Sequence, residues 1–338
     1  MGKSQAIGDG EEALRAAVRE FAMSINSTFR RSTDMSSLIE VTSSLPLSSL
    51  AHWEQLIRSE FSLALRSTAA PWVIAWAKPN RFLTWVDLCS WDGYVRERTL
   101  RTLSGPAPNS FFFSLAARRI NDWVPGVRSA AREKLPLLAR QSNPEHVVDA
   151  LCAMLPIWVS WGRMEAVDQQ VVAELLAIPD VIDALKLRLI SMALGPMSVV
   201  LSQAARTAVL DGDLADIAKH AVQPAVRATA YRALLTGRVH WVQGRRWQWT
   251  DVRSCKGKLQ NVLGERPLQE VPPFLETMEQ AASDRSCIVR AVAAEALVRE
   301  MDALGGVAVS LARRLASDRS PRVAERGRFV LQRLLGAT

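Results

Sequence analysis

Asp122–Leu135 reads D-W-V-P-G-V-R-S-A-A-R-E-K-L, and its reading decides the fold. An Asp stands in a turn, and a Pro three residues on suits the first position of a helix, where its missing N–H is not needed. Val127, Ala130, Ala131 and Leu135 then follow at helical spacing. The same wording recurs along the chain. Tyr94–Leu103 is Y-V-R-E-R-T-L-R-T-L, Gln223–Leu234 is Q-P-A-V-R-A-T-A-Y-R-A-L, and Asp284–Leu297 is D-R-S-C-I-V-R-A-V-A-A-E-A-L. Asp318–Leu331 is D-R-S-P-R-V-A-E-R-G-R-F-V-L, with Ala324 in the place of the Arg. Val95, Val127, Val226, Val289 and Val323 are therefore separated by 32, 99, 63 and 34 residues, which are one, three, two and one units of about 33. A fixed period of that size predicts stacked helix pairs, because one such unit cannot bury its apolar face alone.

The turn Asp and the Val-Arg on the second helix of each pair resemble the HEAT repeat. The resemblance covers Arg81–Leu335, with degenerate units between residues 156 and 211. It implies an all-α fold, an α-solenoid of stacked antiparallel helix pairs, and an array that binds protein, nucleic acid or lipid. It also implies a structural role for the repeated charges. Asp122 and Asp284 each stand six residues before an Arg, Arg128 and Arg290, so with Arg227 these residues are expected to form an ion-pair ladder through the turns.

Composition agrees with helix. Ala, Leu and Arg dominate, 49% of the 338 residues are hydrophobic, and only two Tyr are present. Arg outnumbers Lys by 35 to 7, a bias that points to a GC-rich, bacterial genome. The net charge of +8 is unevenly spread. Residues 71–140 carry 11 basic and 5 acidic groups, 141–220 carry 5 and 10, and 221–264 carry 8 and 1. In a stacked array, sequence blocks become surface bands, so two basic bands should flank an acidic one.

The four Cys form no C-x-x-C and stand near no His at metal-ligand spacing, so buried thiols and no metal are expected. The N-terminus has no apolar core of a signal peptide, and Leu189–Ala205 is too short and too polar to span a bilayer. A cytoplasmic location without membrane association is expected. No Walker A, G-x-S-x-G or H-E-x-x-H occurs, and His52, His146, His220 and His240 are scattered, so neither catalysis nor a cofactor is expected.

Four segments are expected: a divergent helical cap at 1–80, repeats at 81–237, an insertion at 238–264, and further repeats at 265–338. Within the first, residues 1–10 read as a frayed tail, P-W-V-I-A-W-A as a short helix at 71–77, and Asn80 as the cap of a helix over 81–89. The insertion interrupts the rhythm. Arg238–Trp249, R-V-H-W-V-Q-G-R-R-W-Q-W, has period 2 and predicts a short β-hairpin around Gln243-Gly244-Arg245, pairing Trp241 with Trp247 and Val239 with Trp249. Its Trp face is expected to lie on the helical body. Thr250 is expected to cap a helix carrying Val252, Cys255, Leu259, Val262 and Leu263 and ending at Gly264.

Arg118, Arg119, Arg132, Arg245, Arg246, Trp247, Trp249, Arg253, Lys256 and Lys258 are the candidate partner-binding residues. The function expected first is a non-catalytic scaffold or adaptor that docks protein partners in a bacterial multi-protein assembly. The alternative is a nucleic-acid binder using the basic bands at 71–140 and 221–264, because Trp interleaved with Arg suits stacking on bases. A third reading is an alkylpurine DNA glycosylase-like enzyme, a HEAT-like class that uses a catalytic Asp beside Trp and Arg. Its echoes here are Trp85-Val86-Asp87 and Trp91-Asp92, followed by Arg96 and Arg128.

Overall fold

The structure, a computed structural model, describes residues 2–26, 34–68 and 83–336. The expected helix at 71–77, the Asn80 cap, Trp72 and Trp76 lie outside the described residues. The described chain is mostly helical, with one two-stranded antiparallel sheet. It divides into two compact units, Met1–Val181 and Ile182–Thr338. That boundary falls inside the stretch expected as one run of repeats.

In the first unit, α1 (Gly2–Asn26), α2 (Ser36–Ser43) and α3 (Leu50–Thr68) precede α4 (Gly93–Thr102), α5 (Ser110–Arg118), α6 (Pro125–Gln141), α7 (Pro144–Met154) and α8 (Ala166–Leu176). The backbone is helical from Gly2, so residues 2–10 of the expected frayed tail belong to a helix. Helix starts follow the side-chain chemistry. Asn109 accepts the Phe112 N–H, Asn143 accepts the Glu145 N–H, and Pro125 opens α6. Thr84 and Asp87 form a reciprocal capping box on a 3₁₀ turn at Trp85–Cys89. Packing alternates: α3 lies against α5 and α5 against α7, while α4 lies against α6 and α6 against α8. Every residue of Phe111–Ala117 is buried, as that position between neighbours requires. Trp53 and Trp85 are core residues, as their helical spacing implies.

α9 (Pro179–Ser191) straddles the boundary and carries Asp180 in its first turn. The second unit continues with α10 (Met197–Ala204), α11 (Leu214–His220) and α12 (Pro224–Thr236), then β1 (Arg238–Asp251) and β2 (Lys256–Pro267). It ends with α13 (Phe274–Ala282), α14 (Cys287–Leu304), α15 (Gly306–Ala316) and α16 (Pro321–Leu335). α10 packs on α12, α12 on α14 and α14 on α16, while α11, α13 and α15 pair with α12, α14 and α16.

At the last pair the backbones meet. A Cβ on Gly327 would stand 2.4 Å from Ala316 N and 2.9 Å from Ala312 O, with no flexible side chain to give way. Helix propensity alone favours Ala over Gly by about 0.5–1 kcal/mol. Overpacking against backbone costs about 1–3 kcal/mol and outweighs it. Gly327→Ala is therefore expected to lower the melting temperature; a rise would show that α15 and α16 do not approach this closely.

The insertion departs from expectation in its second half. A hairpin forms, but β1 runs unbroken through Gln243-Gly244-Arg245, and the chain reverses only after Asp251. The segment expected as a helix to Gly264 is instead β2. Trp241 pairs with Gly264 and Trp247 with Leu259, not with each other. The apolar residues of 252–264 fit a helical stripe on paper. Pairing with the 14-residue strand β1 competes with that helix, and Gly257 and Gly264 suit the pairing because the Trp247 and Trp241 rings lie where a Cβ would stand.

Candidate nucleic-acid interface

The two strands form an arm anchored at its base and bare at its tip. Val239 and Leu268 are buried, and Gln203 Nε2 donates to the Val242 carbonyl at 2.9 Å. Arg266 grips Asp211 with two nitrogens, at 2.8 and 2.5 Å, and donates to the Ala205 and Thr207 carbonyls. The Arg206 guanidinium lies 5.5 Å from the Trp241 ring centre. Beyond Val242 no residue of the arm is buried until Leu268.

Alternation gives the distal arm two unlike faces. Arg245, Trp247 and Trp249 share one with their partners Asn261, Leu259 and Gly257. Trp247 remains 46% exposed and Trp249 54%, their rings meeting edge to face at 5.7 Å. The distal half of the expected face, Trp247 and Trp249, therefore does not lie on the helical body, whereas Val239 is buried at the base and Trp241 lies beside Arg206, between α10 and α11. Trp247 instead lies over Gly257, where a Cβ would come within 2.5 Å of the indole. The second face carries Arg246 and Gln248 opposite Gln260 and Lys258. Offsets at Gln243 and Thr250 interrupt the register and add local twist.

Arg245, Arg246, Arg253, Lys256 and Lys258 are all exposed, and none has an ion-pair partner among the described residues. Asp251 is the only acidic residue between Trp241 and Gly264. It is committed to the turn, where it accepts from the Ser254 hydroxyl at 2.5 Å and the Arg253 N–H at 2.9 Å. The Ser254 bonds hold its carboxyl below the usual range. Leu259 and Val262, missed as site residues, share this exposed surface; the Lys-Gly-Lys at 256–258 was the signal that the basic stretch continued into a second strand.

The ladder exists with different rungs. Arg96 Nε and Nη2 donate to the Asp122 carboxylate at 2.9 and 2.7 Å. Arg227 binds Asp284 with both bonds at 2.8 Å, and Arg290 binds Asp318 at 2.5 and 2.9 Å. Each Arg thus reaches the turn Asp of a later unit, while its Nη1 ties down carbonyls of its own turn: Ser90 and Trp91, Ala221 and Val222, Asp284 and Arg285. Each Asp also accepts the N–H two residues on. Burial would raise the carboxyls of Asp122 and Asp284, but the Arg and N–H bonds prevail and hold both below the usual range. Arg128 does not pair with the Asp122 carboxylate as expected. It donates to the Asp122 carbonyl and stands 3.6 Å from Glu165, because the degenerate unit beyond offers no turn Asp.

Two further candidates are committed to ion pairs within the fold. Arg119 is 5% exposed and bonds Glu54 at 2.7 Å and Asp122 at 3.0 Å. Arg132 binds Asp168, which is fully buried, at 2.6 and 3.1 Å. Arg119 is closed off from a partner, while the Arg132 side chain, committed to Asp168 and Glu165, keeps 24% of its surface exposed. Arg118 is partly exposed and stands 3.6 Å from Glu54.

The aspartates that echo a glycosylase are both helix-start residues. Asp87 is 1% exposed and accepts the Thr84 N–H at 2.8 Å, and Asp92 caps α4 by accepting the Tyr94 N–H at 2.9 Å. Among the described residues, no three His, Cys, Asp or Glu side chains are grouped to hold a metal ion. None of the described helices is long and apolar enough to cross a membrane. No family model matches the chain, no curated protein matches it, and no solved structure matches it.

Proposed function

We propose that the protein is a non-catalytic, HEAT-like helical-repeat protein that binds nucleic acid with the β-arm, single strands above all. The observation that carries this reading is the combination on the distal arm: five exposed, unpaired cations beside two exposed indoles, with the one nearby carboxylate spent on the turn. Cations along a ribbon track a phosphate backbone, and indoles stack on bases of any sequence. The stacked-repeat architecture is supported by the alternating helix contacts within each unit and by the recurring Arg-to-Asp rungs.

Fluorescence anisotropy with a labelled single strand tests it. Affinity is expected to fall with salt at a log–log slope of about −0.7 per phosphate contact. Replacing Arg245, Arg246, Lys256 and Lys258 together by Ala should flatten that slope. Absence of binding at low salt overturns the reading. Docking of a protein partner, as part of a larger assembly, is the second reading. Trp247, Trp249 and Leu259 favour it, since exposed aromatics rimmed by Arg are the usual anchors of such interfaces.

A further inference from the structure

A cleft of about 600 Å³ opens in the first unit, which supplies all of its lining residues. Its floor is a buried charge chain in which Glu54 binds Arg58, Arg118 and Arg119, and Asp122 binds Arg119 and Arg96. Both carboxylates are thereby saturated. Arg163 also lines the cleft, is exposed, and has no ion-pair partner among the described residues. Five Arg against two acids leave a formal excess of three positive charges.

The rim is aromatic, and the repeat builds it. Trp91 and Trp123 stand 32 residues apart, the separation of Val95 and Val127, so they hold one position in successive units. In the second unit that position is Val222 or Arg285. Both indoles line the cleft and are 63% and 66% exposed. The ladder fixes them: Arg96 binds the Trp91 carbonyl, and Asp122 holds the Val124 N–H beside Trp123. Gly93 lets the two turns close up, since a Cβ there would meet Val124 at 2.6 Å. The Arg58 guanidinium already lies over one face of Trp91, 4.6 Å from the ring centre, and leaves the indole open to a further flat group.

We propose that this cleft binds a nucleoside polyphosphate, its base stacked on the Trp91–Trp123 rim and its phosphates on Arg118, Arg163 and Arg58. The charge excess selects for several negative charges on adjacent groups, as a polyphosphate offers. Two exposed indoles select for a flat ring at the other end. The volume suits a ligand of that size. Arg58 and Arg118 are held near the cleft by Glu54, so the site is largely ordered before the ligand arrives.

Isothermal titration calorimetry of the full chain with ATP is the test. Saturable binding is expected, with adenosine and tripolyphosphate each at least about tenfold weaker than ATP. Trp123→Ala and Arg163→Glu should each weaken ATP by about tenfold or more at unchanged melting temperature, since both side chains are exposed. The arm variant lacking Arg245, Arg246, Lys256 and Lys258 should bind ATP as the parent does, so failure here and failure of the arm reading are separable. No heat at millimolar ATP overturns the proposal. So does tripolyphosphate binding as tightly as ATP with no effect of Trp123→Ala, the signature of an anion site only.

Discussion

Arg227→Ala is expected to destabilise the protein by about 3–5 kcal/mol, the cost of leaving a buried charge without its partner. The Arg227 side chain is 2% exposed, and it donates to both oxygens of Asp284 and to the Ala221 and Val222 carbonyls. Truncation leaves the Asp284 carboxylate in a site where it is 10% exposed, and two carbonyls lose a donor as well. Lys is expected to restore little, because one ammonium cannot match a planar fork that meets a carboxylate and a turn together. Removing both partners should cost less than the two single changes summed, with a coupling of about 0.5–3 kcal/mol in a double-mutant cycle. Additive effects of Arg227→Ala and Asp284→Ala would mean that the rung does not couple the units. An unchanged melting temperature for Arg227→Ala alone would remove the structural role of the ladder.

The recurrence of Val-Arg after a turn Asp was legible because each residue of it answers a local need. Pro opens the helix, Val is buried, and Arg serves a turn. Which Asp the Arg serves was not legible. Six residues separate Asp122 from Arg128 and Asp284 from Arg290, so a bond inside one turn looked available. The Arg binds the carbonyls of that turn, and its remaining nitrogens face the next unit, where Asp122, Asp284 and Asp318 wait. Nothing in one unit's spacing reveals a partner supplied by another. Arg119 and Arg132 read as free surface charge for the same reason, since Glu54 and Asp168 are remote in sequence.

The hairpin shows the converse limit. Period 2 in Arg238–Trp249 was a sound strand signal, but a strand does not name its partner. A short hairpin folding on itself kept the apolar residues together. The longer pairing with Lys256–Pro267 gives every residue of β1 except Gln243 and Thr250 a partner and leaves Trp247 and Trp249 in solvent. Exposed Trp is costly to keep in a soluble surface, and here the pairing places it beside unpaired cations. That juxtaposition begins within β1, at Arg245-Arg246-Trp247, and β2 extends it with Lys256 and Lys258; the proposed role of the arm rests on it.

Trp247→Ala with Trp249→Ala is therefore expected to weaken single-strand binding by about 30-fold to 10⁴-fold, at about 1–3 kcal/mol of stacking per indole. The melting temperature should hardly move. Both rings are about half exposed, and their contacts are with each other and with the arm itself, Trp247 lying on Gly257. The salt slope should stay that of the parent, because no phosphate contact is removed. This separates the pair from the four cations, whose loss lowers the slope. It also separates the readings of the arm. Were the indoles packing on the helical body, the double change would lower the melting temperature, and binding would fall only with the folded fraction. Were they anchors for a protein partner alone, nucleic-acid affinity would be unchanged, and the stacking role would be lost.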